Sequence, residues 1–129
     1  MAILAAPAAM AYSSYGLGAL SCGTYLERRA EDQQAGTMDR TVFIHAFLSG
    51  YLTAGNTLRG LVGDHAHDVA VEVHAVVQWL DAHCEAHRDI TVAAALETFW
   101  VEATAAIDQI RRLGPEAARR AAEQAKGDR

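Results

Sequence analysis

The chain of 129 residues is the length of one domain, and its 51% apolar and 21% charged residues suit a single packed core rather than a disordered chain. A net charge of −5 excludes the basic face on which nucleic-acid binders depend. Full protonation of the six histidines would turn −5 into +1, a sign change around roughly pH 5 to 6 that bears on solubility and partners and not on fold.

Met1 to Ala11 (MAILAAPAAMA) is apolar and uncharged, and Ala9-Met10-Ala11 supplies the small-x-small pattern of a signal-peptidase site, with cleavage before Tyr12. Residues 1–11 therefore read as a candidate signal peptide, which places the mature protein in the periplasm or outside the cell. The Lys or Arg that usually opens such a segment is absent, so an apolar helix start in a cytoplasmic protein is the alternative. An apolar stretch of about ten residues is too short for a bilayer span, and no later segment qualifies.

Tyr12 to Leu20 reads as a loose leader rich in glycine and serine. Ser21 then caps a first helix over about Cys22 to Gln33, with Cys22, Tyr25 and Leu26 on one face and Glu27, Arg28, Arg29, Glu31 and Asp32 on the wet side. A polar turn around Gly36 leads to a second helix over about Asp39 to Gly55. Its main apolar face is expected to carry Val42, Phe43, Ala46, Phe47, Gly50, Tyr51 and Ala54, with Ile44, Leu48 and Leu52 on another side. A helix apolar nearly all round belongs in the middle of a bundle, and Gly50 implies close approach of a neighbour there. Gly55-Asn56 is expected to end it, because both residues tolerate the left-handed conformation.

The third helix is placed over about Asp68 to Ala86, with Val69, Val73, Val76, Val77, Leu80 and Cys84 as its buried stripe. The fourth covers about Thr91 to Arg112, with Val92, Leu96, Phe99, Ala103, Ile107 and Ile110 on one side and Gly114-Pro115 as its stop. Residues 114–129 form a charged, alanine-rich tail, either a solvated helix or frayed. The expected architecture is all-α: a compact four-helix domain over residues 21–113, with no strand expected.

Three clusters carry candidate chemistry. His65-x-His67, flanked by Asp64 and Asp68, has ligand-type residues, as do His83, Cys84 and His87. A helix between the two groups would separate them by about 24 Å, so they read as surface histidines and not as a metal site. A Cys84–His87 nucleophilic pair lacks an orienting third group and an oxyanion element. No catalytic residue, metal ligand or cofactor is assigned. Two cysteines suit one disulfide in an oxidising compartment, with two buried reduced thiols as the alternative.

Ser21-Cys22-Gly23-Thr24-Tyr25-Leu26, Gly50-Tyr51 with Asn56, and Trp79-Leu80-Asp81-Ala82-His83-Cys84 together resemble a family of small exported bacterial proteins with the pattern SCGTW…GYxxxxN…WxDxYC. The resemblance covers about residues 20 to 110. In arrangement the family is similar to HdeA-type periplasmic acid-resistance chaperones and to Tai-type immunity proteins. It implies that Cys22 and Cys84 are paired, that the protein works outside the cytoplasm, and that it is not an enzyme. Tyr25 stands where the family has Trp, His83 where it has an aromatic residue, and Arg88 where it often has proline, which leaves Thr91 to cap the fourth helix. The expected function is a protein-binding or immunity-type module with an unidentified protein partner. An acid-responsive chaperone and a structural envelope or stress protein are the alternatives. Tyr51, Phe99 and Trp100 are candidate interface residues if the helices leave them exposed.

Overall fold

A computed structural model describes residues 15–127; the candidate signal peptide lies outside them. Four helices follow a short 3-10 turn at Gly16–Ala19: α1 (Cys22–Ala35), α2 (Asp39–Leu61), α3 (Val73–Ala86) and α4 (Val92–Gly127). A second 3-10 turn, His65–His67, lies between α2 and α3, and no strand is present among the described residues. The all-α, four-helix reading holds.

The helix starts explain how the bundle closes. Ser21 caps α1 by accepting the Thr24 N–H at 3.1 Å. Two further orphan donors of α1, the N–H groups of Cys22 and Gly23, go to the carbonyls of Ile90 and Arg88 at 2.8 and 2.9 Å. The Val92 N–H returns the exchange to Leu20 at 2.9 Å, so α1 and α4 begin side by side. A Cβ at Gly23 would lie 3.4 Å from the Arg88 carbonyl oxygen, an ordinary contact, so the pairing does not depend on glycine there. Thr91 caps α4 as its position suggests, accepting the Ala94 N–H at 3.2 Å.

Side chains from all four helices fill one core. Cys22 and Tyr25 of α1, Leu48 of α2, Leu80 and Cys84 of α3, and Val92 and Leu96 of α4 have no exposed surface. Each fully buried Leu or Val contributes about 1.5–3 kcal/mol against exposure. The Cys22 and Cys84 sulfurs are bonded at 2.07 Å, 62 residues apart in sequence, and staple the start of α1 to the end of α3.

Helix α2 departs from expectation in three ways. Its buried face is the minor one, Ile44, Leu48 and Leu52 with Thr41, while Phe47 and Tyr51 are half-buried and Val42 and Phe43 face solvent. Its neighbour at Gly50 is absent, since a Cβ there would meet nothing within 4 Å. It also runs past Gly55-Asn56 to Leu61. Gly55 serves packing and not a turn, because a Cβ there would overlap the Trp100 indole. The Asn56 amide turns outward to hold Val69, accepting its N–H at 2.9 Å and donating to its carbonyl at 3.1 Å. Val69 is thereby buried ahead of α3, which starts at Val73 and not at Asp68.

At the far end, Gly114 breaks α4 with φ 79°, a left-handed value that glycine adopts without strain. Pro115 follows it, where a missing N–H and a fixed φ favour a new helix start. Helix therefore resumes after the expected stop and continues to Gly127.

Candidate functional site

Polar ties account for most of the charged residues that face inward. Asp81, in the third sequence block, accepts the Tyr25 hydroxyl at 2.7 Å and a two-pronged contact from Arg29, Nε at 3.1 Å and Nη2 at 2.7 Å. Burial, with the hydrogen bond to Asp81 second, raises the Tyr25 hydroxyl well above the usual tyrosine range, so it stays a donor. Asp32 is buried and crosses from α1 to cap α2: it accepts the Thr41 N–H at 2.7 Å, the Thr41 hydroxyl at 2.8 Å and the Arg40 N–H at 3.3 Å. Burial pushes its carboxyl up, but those three donors outweigh it and hold the group below the ordinary 3.8. Arg29 and Asp32 were expected on the wet side; both turn inward because each has a partner on another helix.

The histidine run assembles a clasp. His67 lies between two carboxylates, Nδ1 at 2.7 Å from Asp64 and Nε2 at 2.7 Å from Asp108 of α4. Hydrogen bonding to Asp108, then to Asp64, raises its pKa above 6.5, and the bond to His67 lowers that of Asp64. The two ring nitrogens point to opposite sides, so these ligand-type atoms do not converge. No metal-holding group of three such residues occurs among the described residues.

At the end of α3, Trp79 stacks on His83 and His87 meets the His83 ring at a tilt of 38°, with ring centroids 4.6 Å apart at each step. Burial, then the charge of His87, lowers the His83 pKa. Trp79 donates its indole N–H to Glu102 of α4 at 2.9 Å. His87 is one turn from Cys84, but the sulfur of Cys84 is buried and bonded to Cys22, which leaves no thiolate for it to activate.

Sequence reasoning missed the molecule's main surface features. Leu58, Leu61 and Val62 end α2 as an apolar cluster 64, 78 and 79% exposed. Beside them, the Arg59 guanidinium lies 5.0 Å from the Trp100 ring centroid. At the other end of α2, Phe43 is 75% exposed beside a cavity of about 590 Å³ between the Gly16–Ala19 turn, α1 and α2. The available signal was the surplus of apolar residues on α2, more than one buried face can use. Tyr51, Phe99 and Trp100 instead pack together against the core, with centroids 6.2 Å apart for Tyr51–Trp100 and 6.4 Å for Phe99–Trp100.

Fold and ties together define a disulfide-stapled all-α domain. No family model, curated protein or solved structure matches the chain, and no described helix is long and apolar enough to cross a membrane.

Proposed function

We propose that the protein is an exported, non-catalytic module that binds a protein partner, as an immunity-type protein does, through the apolar end of α2. The observation that carries this reading is the cluster of Leu58, Leu61 and Val62, three large apolar side chains exposed within five residues. Covering them would gain about 1.5–3 kcal/mol each before the costs of association. The Asn56–Val69 bonds and the Arg59–Asp64 pair hold the end of α2 in place, which lowers the ordering cost of binding there. The resemblance of the three sequence blocks to exported proteins supports the compartment.

A photo-crosslinking residue placed at Leu61 in the native host tests this, with Gln124 as an exposed control. The expected result is one discrete protein adduct from position 61, none from 124, and loss of the adduct on adding Leu58→Glu and Val62→Glu. Equal labelling from both positions would count against a docking surface.

One observation favours the acid-responsive chaperone as second reading: α2 is capped across the turn by a buried carboxylate, Asp32. Its folded pKa is depressed, so its contribution is present above 3.8 and is lost as pH falls through the folded value. Loosening thus belongs to strong acid and not to pH 5–6. Apolar-dye binding that stays flat from pH 7 down through strong acid, to about pH 1, would remove this reading.

A further inference from the structure

Residues 15–110 hold five arginines against thirteen carboxylates. Four of the five are paired, Arg29 with Asp81, Arg40 with Glu31, Arg59 with Asp64 and Arg88 with Glu85. Arg28 has no ion pair among the described residues and lines the 590 Å³ cavity. Among the described residues Arg40 is the only other charged lining residue, and both are solvent-exposed. The walls are apolar: Leu17 and Leu20 from the N-terminal turn, Phe43 and Ile44 from α2. The volume falls in the range of small-ligand sites, which combine an apolar lining with a few placed polar groups.

The lining also restricts what can enter. Among the described residues its one neutral polar side chain is the Tyr25 hydroxyl, already given to Asp81 at 2.7 Å. Among the described lining residues no side-chain acceptor is left for the N–H groups of a peptide, whose burial without partners would cost several kcal/mol, on the order of 2 to 7 for each amide. A hydrocarbon chain carries no such groups. We infer that this cavity binds a long-chain carboxylate of the fatty-acid type, its chain against Leu17, Leu20, Phe43 and Ile44 and its head on the Arg28 guanidinium, with Arg40 alongside. The planar fork of Arg28 matches a carboxylate's two oxygens. This site lies at the opposite end of α2 from the protein-docking cluster and stands independently of it.

Calorimetric titration of the full-length protein with dodecanoate and dodecyltrimethylammonium below their micelle concentrations, and with dodecanol below its solubility limit, tests the assignment. Dodecanoate is expected to bind saturably at one per chain, about tenfold more tightly than dodecanol, while the cation does not bind; a charge-assisted hydrogen bond accounts for a difference of that size. Arg28→Gln should weaken dodecanoate about tenfold and leave dodecanol unchanged, and Phe43→Ala should weaken both. Both side chains are exposed, so neither variant threatens folding. Absence of saturable dodecanoate binding, equal binding of the cation, or an unchanged dodecanoate affinity in Arg28→Gln would overturn the inference.

Discussion

Gly50 and Gly55 stand five residues apart on α2 and serve opposite ends. Gly50 has open space where a Cβ would go, so Gly50→Ala should stabilise the domain by about 1 kcal/mol through helix propensity alone. Gly55 lies against the Trp100 indole, so Gly55→Ala should destabilise by about 1–3 kcal/mol, as overpacking does. Urea denaturation of the two variants reads both signs, and the same sign for both would contradict the placement of Trp100. Asn56→Ala should cost about 1–3 kcal/mol, because it strips the buried Val69 backbone of both partners. Hydrogen exchange at the Val69 amide should then speed up. Neither role was legible beforehand: Gly-Asn is a helix-ending pair by local chemistry, and only the approach of α4 and of the segment before α3 reverses that.

At the scale of elements, the sequence was most informative where the signal was local. The Ser21 and Thr91 caps, the start of α2 and the stripe Val76, Val77, Leu80 and Cys84 follow from spacing and capping chemistry. It misled at α2, where apolar residues exceed what one face can bury and periodicity cannot say which face meets the core. The His67 clasp was hidden as well, because Asp108 is 41 residues away in sequence. Its pH behaviour has a definite sign. The His67 contribution is fully present below 6.5 and is lost as pH rises through its raised folded pKa. The Asp64 contribution is present above 3.8 and is lost as pH falls through its lowered folded pKa. The clasp therefore holds best from about pH 4 to 6.5. The difference in melting temperature between the wild type and His67→Gln should be largest near pH 5.5 and shrink by pH 9. A difference that grows on the alkaline side would contradict the charged clasp.

For the whole molecule, one covalent bond organises the rest. A loop of 62 residues closed by Cys22–Cys84 adds about 4 kcal/mol on the chain-entropy account. Cys22→Ser with Cys84→Ser should lower unfolding stability by about 2–5 kcal/mol while the folded variant keeps the helical circular dichroism of the wild type. Fold class and the two cysteines were readable because both follow from composition, spacing and motif. The apolar end of α2 and the arginine-lined cavity were not, since each depends on which residues the bundle leaves uncovered. The central claim is an exported, stapled module, and the intact mass of the protein recovered from its host's envelope tests it most directly. The account predicts a chain that begins at Tyr12 and is two hydrogens lighter than its reduced form; a chain retaining Met1 and carrying two free thiols would contradict it.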